Sequence, residues 1–155
     1  MRFLSIQDVE LLIHSSTKLN FKIDNLDLYS FYTAKIVIFF LLNNNVPAAY
    51  VKFENQGTIY QVKAAMVYPE YKGRLLMAKI YKYVYENANV CIQSDFDQSA
   101  AGRYLWINSL PKIGLMPFIY NTTTGDREPL TINNYSRVYN AAQSKQTHTY
   151  TLLLP

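Results

Sequence analysis

Apolar residues at Ile6, Val9, Leu12 and Ile13 recur at the spacing of one helical face, which predicts an amphipathic helix over Ile6 to Ser16. From Leu19 to Thr33 the alternation is loose. Phe21, Ile23, Leu26, Leu28, Tyr29 and Phe31 are interrupted by the turn formers Asp24-Asn25 and Asp27, and the pattern does not select a state. Ile36 to Leu42 is β-branched and aromatic and predicts a central strand, ended by Asn43-Asn44-Asn45 and Val46-Pro47. Ala48 to Phe53 reads as its hairpin partner. Past a second turn at Asn55-Gln56-Gly57, Thr58 to Val67 reads as a long strand, so the expectation is a meander of three antiparallel strands stopped by Pro69.

After Gly73 the residues Leu75, Leu76, Ala78, Ile80, Tyr83 and Val84 suit a helix to about Asn87, where Asn87-Ala88-Asn89 breaks it. Val90-Cys91-Ile92 is short and fully apolar, as a strand buried after a crossover helix is. Asp95, Asp97 and Ser99 can each cap a following helix, expected to run to about Leu110 and to end before Pro111. A strand at Met116 to Tyr120, a loop rich in Thr, Gly and Asn to about Asn134, and a last strand at Thr147 to Leu154 complete the pattern. The order is that of an α+β fold in which an antiparallel sheet passes into a βαβ-like unit at Val67 to Ile92. Strands splay at such a junction, and the helix amino terminus facing the gap is a natural phosphate site.

Composition narrows this picture. A chain of 155 residues, half of them hydrophobic, is expected to form one domain over 1–155 with an ordinary core. Fifteen Lys and Arg against 11 Asp and Glu give a net charge of +4, which favours an anionic partner. One cysteine, Cys91, permits neither an internal disulfide nor a cysteine-based zinc site and reads as inert core. His14 and His148 lack metal-ligand spacing, so no metal is expected. Met1-Arg2-Phe3-Leu4-Ser5 turns polar by Gln7 and Asp8, unlike a signal peptide, and the run Ile36 to Leu42 is too short to cross a bilayer. The expectation is a cytoplasmic protein with no membrane partner. The sequons at Asn121-Thr122-Thr123 and Asn134-Tyr135-Ser136 then carry no meaning, and no Walker loop, HExxH motif or serine nucleophile elbow occurs.

Two words stand out: Val67-Tyr68-Pro69-Glu70-Tyr71-Lys72-Gly73-Arg74, and the stretch Ser94-Asp95 through Gln98-Ser99, Gly102 and Leu105-Trp106. Over roughly Ile36 to Tyr120 the chain resembles the GNAT superfamily of N-acetyltransferases, in particular its small phage-type members. The resemblance implies a mixed, mostly antiparallel sheet with splayed central strands flanked by helices. It also implies acetyl-CoA as cofactor, its pyrophosphate held where Val67, Tyr68, Lys72, Gly73, Arg74, Leu75 and Leu76 lead into the helix, and its far end lined by Gln98, Ser99 and Gly102. Two departures follow. Leu75 and Met77 stand where the superfamily carries small residues that let the backbone approach phosphate, and Trp106 stands where it carries a tyrosine acid. Indole donates no useful proton, so Tyr104 is the candidate acid and Asp95 the candidate base for a substrate amine.

Plainer readings accompany each feature. Lys72-Gly73-Arg74 can be a solvated turn, although cations at a helix start oppose the macrodipole unless an anion neutralises them. Asp95 can be a cap, and Gly102 can serve close packing. Two functions are therefore carried forward. One is an acetyl-CoA-dependent transferase acting on an unidentified amine, of a small molecule or a protein. The other is a catalytically inactive protein of the same fold that binds a host protein, a virion component or nucleic acid. Nucleic acid is the weaker of these partners, because the net charge has no clustered basic and aromatic face behind it.

Overall fold

The computed structural model describes residues 5–96, 99–135 and 148–153. Helix α1 (Ile6–Ile13) opens on a capping box, with Ser5 Oγ accepting the Asp8 N–H and the Asp8 carboxylate accepting the Ser5 N–H. Five strands follow: β1 (Thr17–Ile23), β2 (Leu26–Tyr32), β3 (Ile36–Asn43), β4 (Val46–Asn55) and β5 (Ile59–Val67). A 3-10 turn (Pro69–Tyr71) then leads to α2 (Leu76–Asn87) and β6 (Cys91–Gln93). Helix α3 (Ala100–Tyr104) continues through a π-helical turn (Leu105–Ser109) into α4 (Leu110–Lys112), and β7 (Phe118–Asn121), β8 (Arg127–Pro129) and β9 (His148–Leu152) close the order. All nine strands form one sheet in the order β1-β2-β3-β4-β5-β6-β9-β7-β8, antiparallel throughout except for the parallel pair β5 and β6. The fold is thus α+β with a mixed, mostly antiparallel open sheet.

The meander has five strands where the sequence pattern suggested three. Asp24 (φ 50°) and Asn25 (φ 65°) form a two-residue hairpin turn, and Asn44 (φ 49°) with Asn45 (φ 68°) repeats it between β3 and β4. Asn and Asp tolerate the left-handed region better than other side chains, which is why these dipeptides close tight hairpins. Strand β1 escapes recognition because it is an edge, and only Ile23 of its seven residues is buried. The segment after β7 also holds a strand. Asn121 Oδ1 accepts the N–H groups of Thr123 and Thr124, and this turn folds β8 back onto β7.

The helix begun at Ser99 does not stop before Pro111. The Leu110 N–H reaches back to Leu105 O, one residue further than an α-helix allows. The widened turn makes room where a proline ring would otherwise press on the preceding turn, and Pro111 itself needs no acceptor.

The sheet separates two apolar layers. On one face α2 buries Leu76, Met77, Ile80, Tyr81 and Val84 against Val37, Phe39, Leu41, Val51 and Phe53. On the other, Val9 of α1 packs with Ile38, Phe40, Leu42, Tyr50 and Ala64. Alternate residues of β3 face opposite layers, so the strand is apolar on both sides, as its continuous run required. Within the first layer an aromatic chain runs Phe39, Phe53, Tyr81, Trp106, Tyr150, with ring centroids 6.3, 6.0, 5.7 and 5.9 Å apart. It ties β3 and β4 through α2 and the π-helical turn to β9.

Tyr150 is fully buried and donates from its hydroxyl to Tyr135 O at 2.7 Å. Burial pushes the phenol up to about 12 from 10.0, opposed by the Arg103 charge and aided by Tyr135. Between pH 10 and 12 the unfolded chain gives up this proton first and the native state retains it, so stability falls as pH rises through that window. Denaturant titrations should show wild type losing about 2 kcal/mol more than Tyr150→Phe across it.

Candidate functional site

Strand β5 carries one extra residue. Strands β4 and β5 pair Lys52 with Ala64 and Phe53 with Val62, so Lys63 has no partner and forms a β-bulge. A bulge bends its strand and increases the local twist. On its other side β5 lies parallel to β6 over Ile59, Tyr60 and Gln61, opposite Cys91, Ile92 and Gln93, the whole length of β6. From Val62 to Val67 every second residue turns its N–H and C=O away from β4, toward a side with no strand among the described residues.

Just beyond the gap the chain prepares a helix start. The Tyr68 N–H donates to Ala48 O at 3.0 Å, which ends β5 against β4. Tyr71 is buried, and its hydroxyl accepts from Asn43 Nδ2 at 3.1 Å, fixing the turn to the end of β3. The Arg74 guanidinium lies 5.4 Å from the Tyr71 ring centroid. Gly73 takes φ 84° and Leu75 takes φ 57°, ψ 27°. A leucine in the left-handed region costs about 1–2 kcal/mol, so the surrounding structure imposes this shape on the loop.

Among the described residues the start of α2 has no capping side chain or first-turn carboxylate. The earliest backbone bond within it is Lys79 N–H to Leu75 O at 3.0 Å. The N–H groups of Leu76, Met77 and Ala78 therefore face outward along the axis with the positive end of the helix dipole. Lys72, Gly73 and Arg74 are exposed beside them. Two cations, three donors and an adjacent open strand edge together suit a phosphorylated ligand with an amide-bearing arm. The side chains of Leu76 and Met77 turn into the core, as does that of Ala78, so they do not crowd the donors.

The structure thus brings Val67, Tyr68, Lys72, Gly73, Arg74, Leu75 and Leu76 together at the junction of β5 and α2. Tyr68 adds a hydroxyl that is buried and has no partner among the described residues. Burial and, second, the Tyr50 phenol push its pKa up. Ser99 caps α3 by accepting the Gly102 N–H at 3.0 Å, so these two residues form a structural cap at the start of that helix. Gln98 lies outside the described residues, as does Asp97. Asp95 Oδ1 accepts the Phe96 N–H at 2.9 Å. Tyr104 is 54% exposed, with the Lys112 ammonium 5.8 Å from its ring centroid, whereas Trp106 is 1% exposed. Trp106 is thus a core indole.

One feature had no counterpart in the sequence reading. Cross-strand partners share a face, and Gln61 pairs with Gln93, which pairs with Thr151. Ile92, Tyr150 and Leu152 belong to the α2 layer, so this row and the neighbouring Thr149 project from the opposite face. All four polar residues are buried. Gln61 donates to Ser94 O at 3.4 Å and accepts from Gln56 at 3.0 Å, and the two threonine hydroxyls lie 3.3 Å apart. Gln93 retains 6% exposure, and its amide atoms are not among the buried side-chain atoms that lack a partner. The alternation Cys91, Ile92, Gln93 could have revealed that Gln93 opposes Ile92, but not that it is buried.

A groove of about 450 Å³ lies elsewhere, between β1 and α2, lined by Phe21, Lys22, Lys79, Lys82, Tyr83 and Ile113 among others. Its Lys79 pairs with Asp24 at 2.9 Å, and no residue of the phosphate-type loop lines it. No helix of the described residues is long and apolar enough to cross a membrane. No protein-family model matches the chain, and no curated protein matches it in sequence.

The conformation of Leu75 has a direct test. In urea titrations Leu75→Ala should be less stable than Leu75→Gly by about 1 kcal/mol, because both remove the same packing and only glycine relieves the left-handed backbone.

Proposed function

We propose that the protein is an acetyl-CoA-dependent N-acetyltransferase acting on an amine. The observation that carries this reading is the coincidence, at one point of the sheet, of the open edge of β5 past Gln61 with the uncapped start of α2 and its flanking Lys72 and Arg74. When bound, acetyl-CoA supplies the thioester whose acetyl group is transferred. Backbone N–H groups of Leu76, Met77 and Ala78 donate to its phosphates, and Lys72 and Arg74 offset their charge. The free N–H and C=O groups of Val62 to Val67 pair with its amides and align the reacting carbon. Leu75 occupies the place of a small residue in the resembling family, yet its backbone adopts the region glycine enters most readily. Loop shape is therefore compatible with phosphate although the residue differs.

No strong acid is needed for rate if positioning and backbone donors polarise the carbonyl. A second reading, binding without transfer, is favoured by the burial of Trp106 and by the outward setting of Tyr104 beneath Lys112. Calorimetric titration of acetyl-CoA separates the cofactor site from its absence. Micromolar binding is expected for the wild type, weakened at least tenfold in Lys72→Ala with Arg74→Glu. Release of thiol from bound acetyl-CoA in the presence of amines then distinguishes transfer from binding alone. No heat of binding at millimolar acetyl-CoA would overturn the cofactor assignment.

A further inference from the structure

We propose that Lys63 is an acceptor amine, so that the protein transfers acetyl to its own bulged lysine. This rests on the transfer reading above and gives that reading its first acceptor.

Placement is the first support. Along the open edge of β5 from Val62 to Val67 the sequence sets one amine, Lys63, while Lys52 stands on β4, one strand further from that edge. The arm of acetyl-CoA between phosphate and thioester is about 15 Å long, the span of roughly four to five extended residues. With phosphate held at the turn after Val67, the same distance back along the edge ends at Lys63 and Val62. Orientation is the second support. Lys63 is the unpaired residue of the bulge, and bulges re-aim a side chain that regular pairing would fix. Its ammonium reaches Glu54, which pairs with Gln61 and so shares that residue's face, opposite α2.

Chemistry is the third support. Glu54 Oε2 lies 3.5 Å from Lys63 Nζ, and Gln56 donates to Glu54 Oε1 at 3.4 Å, which holds the carboxylate beside the amine. An ammonium has no lone pair and cannot attack, so one proton passes first to Glu54 and from there to water. The Lys63 nitrogen then bonds to the acetyl carbon, the carbon–sulfur bond breaks, and the departing thiolate takes the second proton. The products are acetyl-lysine and free thiol, and the ion pair with Glu54 is lost because the new amide is neutral.

The test incubates the full-length chain with acetyl-CoA, measures binding by calorimetry and locates acetyl groups over time by peptide mass spectrometry. Lys63 should be modified first, although its side chain is 32% exposed against 59% for Lys18 and 64% for Lys22. At saturating acetyl-CoA its rate per molecule should not change on dilution, as transfer within one chain requires. Glu54→Gln should slow acetylation of Lys63 by about tenfold or more. A second readout needs no transfer: with coenzyme A disulfide, Lys63→Cys should form a mixed disulfide at position 63 faster than at Cys91. Binding of acetyl-CoA with lysines modified in order of their exposure, or a mixed disulfide no faster at position 63 than at Cys91, would overturn the assignment of Lys63 and leave the transfer reading standing. No heat of binding at millimolar acetyl-CoA would remove both.

Discussion

Strand β5 cannot keep both of its neighbours. It follows β4 as far as Val67 with Lys63 inserted as a bulge, whereas β6 ends at Gln93, opposite Gln61. Past Gln61 that side of β5 has no strand beside it among the described residues, and from its end the chain turns into α2. Lys63 lies 3.5 Å from Glu54 across the pair, but a partly exposed ion pair contributes little, and the bend is maintained by the apolar residues on either side of it. Tyr60 and Val62 face the α2 layer before the bulge, whereas Ala64 and Met66 face the α1 layer after it. Past it Ala65 and Val67 also reach the α2 layer, so the later stretch of β5 packs on both faces.

The loop between β5 and α2 shows how backbone shape and residue identity separate. Leu75 adopts a conformation costly to any side chain, and Tyr71, held by Asn43, anchors the turn that requires it. Residue 106 shows the opposite case. Trp106, set aside as an acid because indole donates no useful proton, is a core element linking Tyr81 to Tyr150, and its aromatic contacts join α2 to β9. The regions nearest the gap therefore divide between strained backbone on one side and dense packing on the other.

Most of the fold was legible because its signals are local. The run Ile36 to Leu42, the long strand ending before Pro69 and the helix beginning after Gly73 all appear where their patterns placed them. Strand β1 was hidden because an edge strand need not alternate, and β8 because three residues are too few to show a period. Pro111 misled because a proline ends an α-helix but not a widened turn. The bulge at Lys63 and the pairing of Gln61, Gln93 and Thr151 could not be read at all. Both depend on which residues of distant strands lie opposite one another, and no single strand records its register. The turn before α2 was placed by Pro69 and Gly73, whereas the left-handed backbone of Leu75 had no sequence sign, leucine being a poor choice for it.

The sheet order has a consequence for how the molecule is assembled. Strands β7 and β8 leave the ribosome before β9, yet they reach the rest of the sheet only through it. Until His148 to Leu152 has been synthesised, the β7–β8 hairpin has no neighbour to join and β6 has an open flank. Residues 17 to 93, by contrast, can build their strands and crossover helix in the order they are made. Biogenesis therefore falls into two stages, a sequential first part and a second that waits for a late strand to slide between two earlier ones. Trp106 and Tyr150, which meet across that boundary, come into contact only when the second stage is complete.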